Sequence, residues 1–238
     1  MLGYAIVIPF HNEEANCRVV LEELRPVLDA LPDTSEVLAI DDGSKDKTLA
    51  TLREIAATWP ALRVVQLATN SGQAAALYTG MQLARAPVII TMDGDGQNVA
   101  TDIPLLISKL SEADMVAGIR AERNDSWLRR QMSLFANSIR GRLLADGMRD
   151  SGCALKAFKR EVVSSFLPMR TLYSFMPALA VAAGFRVVQV PVQHRARERG
   201  TSHYGLGVML WRPALDMLGL WWWRQRRFPL PKISPEPK

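Results

Sequence analysis

The chain has little of what usually narrows a protein's class. Two cysteines, Cys17 and Cys153, lie far apart and form no Cys-x-x-Cys pair. That argues against a disulfide framework and reads as two reduced packing residues of a cytosolic protein. No uninterrupted apolar run reaches the roughly 18 residues a spanning helix needs. No signal peptide is expected, because Met1-Leu2-Gly3-Tyr4 leads straight into a strand ending in Pro9. Internal repeats are absent. Charged residues make up 22% against 48% hydrophobic, so the chain folds instead of staying disordered. Its 238 residues suffice for one α/β domain with appendages. The net charge of +5 fits a phosphate-rich substrate, nucleic acid, an anionic membrane surface or an ordinary basic exterior.

What is present is alternation. Apolar strands are expected over residues 4–9, 36–40, 63–67, 88–92 and 114–118, with helices over 13–31, 47–58, 71–83 and 101–111 between them. Strands separated by helices imply an α/β fold with a mostly parallel sheet and right-handed crossovers. After Arg120 the pattern changes. A helix over 127–144 carries Arg129, Arg130, Arg140 and Arg142. A short strand at 154–158, helical patches at 160–166 and 175–183, and a strand at 186–192 follow. Residues 195–204 read as a basic loop. The expected organisation is one domain over 1–204, an interfacial helix over 205–227, and a disordered tail over 228–238 with four prolines.

The chemistry sits where strands end. Asp93-Gly94-Asp95-Gly96-Gln97 follows the apolar run 87–91. Ligands of open α/β sheets bind beyond the carboxyl ends of strands. Two carboxylates two residues apart, with a nearby amide oxygen, suit Mg²⁺ or Mn²⁺ that keeps positions open for phosphates. Pro9-Phe10-His11-Asn12-Glu13-Glu14 closes the first strand; its acids serve either a helix dipole or a nucleotide. Asp41 and Asp42 close the second, in reach of a base edge or ribose, or as turn residues. Asn70-Ser71-Gly72 opens a helix, as a cap or as an anion site. Carboxylate loops following neighbouring strands favour a nucleotide site over separate turns.

In that order and spacing these motifs resemble family 2 glycosyltransferases, and more narrowly the polyprenyl-phosphate (dolichol-phosphate) sugar synthases, over roughly residues 4–204. The resemblance implies the GT-A fold, Rossmann-like, with a nucleotide-sugar donor and a divalent metal. By position, Asp93, Asp95 and Gln97 would bind the metal and diphosphate. Asp41, Asp42, Asn70 and Gly72 would contact the nucleotide, with Pro9, Phe10 and Glu13 framing its pocket. Arg120, Arg123, Arg129, Arg130 and Ser133 fall where such enzymes receive a lipid phosphate, and clustered arginines suit bidentate phosphate binding; the alternative is a solvated helix face. Asp150 resembles an aspartate near the sugar pocket, or a turn residue. Arg197, Ser202 and His203 fall in a basic loop that closes over the diphosphate. The chain departs from the family there, with His203 where lysine is usual, so less charge is available at neutral pH.

These expectations describe an inverting hexosyltransferase acting from a UDP- or GDP-sugar onto polyprenyl phosphate, with Asp95, Arg120, Arg130 and Arg197 carrying the catalysis. A phosphate acceptor is already anionic, so a strong general base is not required. Trp221-Trp222-Trp223 followed by Arg224-Gln225-Arg226-Arg227 fits an interfacial helix on the inner face of the cell membrane, with a small integral membrane protein as a plausible partner; a packed core helix is the alternative. The competing functions are a glycosyltransferase acting on a carbohydrate or lipid A-type hydroxyl, and a non-catalytic nucleotide-sugar scaffold. Nucleic acid is disfavoured, because strand-end carboxylates repel its phosphates.

Overall fold

The computed structural model describes residues 1–120, 140–141, 143–196 and 206–227. Seven strands form one sheet in the order β3-β2-β1-β4-β6-β5-β7. They are β1 (Leu2–Phe10), β2 (Thr34–Asp41), β3 (Leu62–Gln66), β4 (Val88–Thr91), β5 (Met115–Arg120), β6 (Lys156–Lys159) and β7 (Val187–Val192). β3, β2, β1 and β4 run parallel, and β7 runs parallel to β5. β6 alone is antiparallel to both neighbours, wedged between β4 and β5. The sheet is therefore mostly parallel, as the alternation predicts.

β1 and β2 are apolar on both faces because both faces are covered. One face takes Ile6, Ile8, Val37 and Ala39 against α1 (Cys17–Asp29), α2 (Thr48–Thr58) and α4 (Ile103–Lys109). The other takes Ala5, Val7, Leu38 and Ile40 against α3 (Gln73–Leu83) and α5 (Leu172–Ala183). α1 turns Cys17, Val20, Leu21, Leu24 and Leu28 inward, one stripe at helical spacing. Each fully buried leucine contributes about 1.5–3 kcal/mol of apolar burial. Both cysteines are free and buried.

The helix starts differ from the sequence expectation for local reasons. α1 begins at Cys17, not Glu13. The Glu13 amide donates to the Thr48 hydroxyl at 2.8 Å and the Glu14 amide to the Asp46 carboxylate at 3.1 Å, which holds 13–16 as a turn tied to the loop after β2. α3 is capped by Gly72 at φ 90°, one residue past Ser71. The patch at 160–166 is a 3-10 helix, Arg160–Ser165. The last helix, α6, spans Leu206–Arg226. The expected tail 228–238 lies outside the described residues.

Candidate active site

The parallel register sets the ends of β2, β1 and β4 side by side, and three polar loops leave from there. The loop after β2 is closed by Asp42. Its carboxylate accepts the Ser71 amide at 2.6 Å and the Gly72 amide at 2.8 Å. The two N–H groups that open α3 are thus filled by a side chain of the protein itself. Gly43 makes the close approach possible. It has φ +62°, and a Cβ there would meet the Asn70 backbone nitrogen at 2.6 Å. Asp41 is fully buried, and neither of its carboxylate oxygens finds a hydrogen-bond partner. A buried carboxylate without partners is costly unless a ligand supplies donors.

His11 joins two of these loops. Its Nδ1 donates to the Asp42 carbonyl at 2.7 Å, since a carbonyl only accepts. Nε2 then accepts from the amide groups of Asn70 at 2.9 Å and Asn12 at 3.1 Å. Glu13 is buried and accepts from the Asn16 amide at 2.6 Å. Pro9 lies in β1 opposite Ile40. Phe10 is buried under the next loop. A Cβ on Gly94 would fall 2.5 Å from the Phe10 ring, so only glycine lets that loop pass over the end of β1.

That loop carries the two acids. Asp93 is partly buried and accepts from the Gln73 amide at 2.7 Å, while its backbone N–H donates to Asn98 at 2.8 Å. Asp95 accepts the Gln97 backbone N–H at 3.1 Å. The Gln97 amide nitrogen donates to the Arg195 carbonyl at 3.3 Å and lies 3.4 Å from His194 Nε2, tying the loop to the segment after β7. Burial, then the neighbouring Asp95 charge, pushes the Asp93 carboxyl up to about 7. The charges of Lys156 and Arg120 act on it in the opposite direction. Among the described residues, no group of three or more His, Cys, Asp or Glu side chains is placed to hold a metal. Two hard oxygen donors still fit Mg²⁺ or Mn²⁺, which are commonly held by one or two carboxylates completed by substrate phosphates and water.

Beyond β4 the site becomes basic. The Asp150 carboxylate grips Arg120 at both ends, Nε to Oδ2 and Nη2 to Oδ1, each at 2.8 Å, and accepts the Arg120 backbone N–H at 3.1 Å. Such a fork fixes the guanidinium plane. Lys156, on β6 opposite Thr91, is 1% exposed and donates to the Cys153 carbonyl. Burial pulls its ammonium below the usual lysine range, opposed by Cys153, Asp93 and Asp150. Arg140, expected along a basic helix, is instead buried. It pairs with Asp146 at 2.7 Å, donates to the Ser174 carbonyl and lies 5.5 Å over the Phe175 ring.

The expected donor-side residues therefore converge, with Arg120 and Asp150 beside them. Arg123, Arg129, Arg130, Ser133, Arg197, Ser202 and His203 lie outside the described residues. The sequence does not single out His11, Gln73, Asn98 and Lys156, which the structure sets beside these residues. Each stands inside or beside a motif, and only the register shows which motif neighbours act on the acids.

α6 has two faces. Asp216 accepts the Thr171 hydroxyl at 2.5 Å and its amide at 3.2 Å, while Leu220, Met217 and Trp223 pack on the core. Leu215, Leu218 and Trp222 lie on the opposite face and are exposed, with Trp221 also exposed. The last turn carries Arg224 and Arg226, and Arg227 lies 5.6 Å over the Trp223 ring. No helix among the described residues is long and apolar enough to cross a membrane.

Comparison with known proteins identifies the family and the fold. The family model for glycosyl transferase family 2 matches residues 5–167. A dodecaprenyl-phosphate galacturonate synthase of Rhizobium johnstonii is 36% identical over 225 residues, covering 92% of this chain and 66% of that protein. An undecaprenyl-phosphate 4-deoxy-4-formamido-L-arabinose transferase of Edwardsiella ictaluri is 36% identical over 205 residues, covering 85% and 63%. The chain thus spans just under two thirds of the length of these relatives. Among solved structures, glucosyl-3-phosphoglycerate synthase of Mycobacterium tuberculosis, in complex with Mn²⁺, UDP and glucosyl-3-phosphoglycerate, superposes with a TM-score of 0.69 at 21% identity, over 92% of this chain and 80% of that one. At that identity the likeness is one of fold, the GT-A fold.

Proposed function

The chain belongs to glycosyl transferase family 2, and from that premise we propose that it moves a sugar from a nucleotide-sugar onto a polyprenyl phosphate, inverting the sugar, with Mg²⁺ or Mn²⁺ bound at Asp93, Asp95 and Gln97. One observation carries the reading. Asp93, of the acidic pair after β4, lies within electrostatic reach of a guanidinium that Asp150 already holds in place. Donor diphosphate and acceptor phosphate thus have adjacent seats of opposite chemistry. The names of the two relatives, both polyprenyl-phosphate enzymes, support the acceptor class.

The metal, when bound, neutralises the diphosphate and stabilises it as a leaving group. Gln73 and Asn98 orient Asp93 for this task. Asp41, with two buried oxygens free to accept, receives N–H groups of the nucleobase. Asp42, His11 and Asn70 hold the loops that frame the base. Arg120 orients the acceptor phosphate, with Arg123, Arg129, Arg130, Ser133 and Ser202 as further contacts, and Arg197 and His203 cover the diphosphate. Asp150 acts on Arg120 and stands near the sugar.

The exposed Leu215, Leu218, Trp221 and Trp222, followed by three arginines, rest on an anionic cytoplasmic leaflet. A small integral membrane protein receiving the lipid product is a compatible partner. The decisive experiment mixes purified protein with Mn²⁺ or Mg²⁺, radiolabelled UDP- and GDP-sugars and undecaprenyl phosphate. Label should enter the organic phase with at least one donor; none doing so overturns the reading. Flotation with anionic liposomes should weaken when Trp221 and Trp222 become alanine, and unchanged flotation removes the membrane role of α6.

A further inference from the structure

Lys156 has no part in the reading above, yet it is among the most deeply buried side chains in the molecule. Its place follows from β6. That strand runs against β4 with Lys156 opposite Thr91, two residues before Asp93. Its ammonium donates to the Cys153 carbonyl and acts on Asp93, on Asp150 and on Arg140. A buried lysine costs folding free energy unless carboxylates compensate it. A merely structural position would be filled at lower cost by Leu or Met. The cation side is sparse. Asp93 and Asp95 bring two negative charges, and no third acidic, histidine or cysteine side chain joins them among the described residues.

We propose that Lys156 is a positioning residue that makes divalent-metal binding at Asp93 and Asp95 conditional on a nucleotide diphosphate. Its positive charge offsets part of the acids' charge, so the protein alone attracts a divalent cation weakly. The diphosphate restores the missing negative charge and the missing oxygen ligands. Metal and nucleotide then bind as one unit, and the metal leaves with the spent nucleotide. The inference rests on the metal–diphosphate reading of this site and adds the order in which its parts assemble.

The test is a Mn²⁺ titration followed by electron paramagnetic resonance at pH 8, with and without UDP or GDP. Wild-type protein should bind Mn²⁺ weakly alone and at least tenfold tighter with one nucleotide, the linkage being reciprocal, about the size of common coupling energies. Lys156→Met should bind Mn²⁺ alone about tenfold tighter than wild type, as expected for removing one nearby charge in a partly screened site. The gain from nucleotide should shrink by the same factor. Lys156→Arg should restore the wild-type pattern. Turnover of the methionine variant should fall while KM for the nucleotide-sugar changes little. A structural lysine predicts the opposite for the metal, unchanged or weaker binding, and that result overturns the proposal. If Lys156→Met does not fold, Lys156→Gln keeps a donor to the Cys153 carbonyl and takes its place. The wild-type arm stands alone, because equal Mn²⁺ affinity with and without nucleotide also overturns it. Absence of sugar transfer with intact Mn²⁺–nucleotide linkage would sink the acceptor assignment and leave this one in place.

Discussion

The strands β3, β2, β1 and β4 and the strands β6, β5 and β7 build their halves of the site by different means. In the first half, all strands run parallel, and the loops leaving β1, β2 and β3 hold one another through backbone amides. Asp42 receives two amides of the loop before α3, Ser44 receives the Asn12 amide, and Asp46 receives that of Glu14. Two acids here remain open to ligands, Asp41 without a hydrogen-bond partner and Asp93 with one neutral amide. In the second half, an antiparallel strand is inserted and the acids are already spent on cations: Asp150 on Arg120, Asp146 on Arg140, Asp114 on Lys159. The difference teaches how one sheet edge serves two anionic groups. Under the proposed function, the first half would recruit charge from a metal, and the second supplies its own.

Removing the recruited charge should have the largest effect. Asp95→Ala deletes one of the two carboxylates at the proposed cation position, and loss of several kcal/mol of leaving-group stabilisation corresponds to about a 10³-fold fall in sugar transfer. The readout is label in the organic phase, with circular dichroism expected to be unchanged. Transfer within about tenfold of wild type would mean that this half does not work through a metal.

On the other side, the buried pair carries stability. Asp146→Ala strands Arg140 in a site where both side chains are almost fully enclosed. Leaving a buried charge unpaired costs about 3 kcal/mol or more. Urea unfolding should show that loss, while nucleotide binding at the distant loops stays intact. A loss under about 1 kcal/mol would show that water reaches the pair, as at an exposed bridge. Smaller still is the effect of Arg120→Lys. It keeps the charge and loses the two-point fork on Asp150, so turnover should drop by about ten- to a hundredfold, with KM for the lipid phosphate raised. Equal loss for a hydroxyl acceptor would break the assignment of this half to phosphate.

The two halves were unequally legible in the sequence. The parallel half was read nearly whole, because each strand is a local apolar run and each loop a local motif. Asp93, Asp95, Asp41 and Asp42 could be placed at strand ends without knowing any pairing. The second half depends on where β6 inserts. Nothing within residues 156–159 says that they pair antiparallel with β4, so the sequence does not show Lys156 behind Asp93. The burial of Arg140 was hidden for the same reason. A helix face rich in arginine looks solvated until Asp146 and Phe175 arrive from elsewhere in the chain. Likewise the two faces of α6 separate only once Thr171 and the core around Leu220 are placed.

The smallest effect, and the one that joins both halves, is in pH. The ordinary aspartate value is 3.8, and in the metal-free protein Asp93 lies at about 7. Between those values the folded state holds a proton that the unfolded chain has released. Stability from this group is therefore greatest at low pH and declines as pH rises from about 4 to 7. A divalent metal competes for the same oxygens. Adding Mn²⁺ with UDP should raise the melting temperature clearly at pH 8 and much less at pH 5.5, where the proton must first be displaced. Asp93→Asn should remove the pH dependence of this metal-induced gain. A gain of equal size at both pH values would show that the carboxylate is ionised throughout, held so by Lys156 and Arg120. The second half would then be setting the charge state of the first.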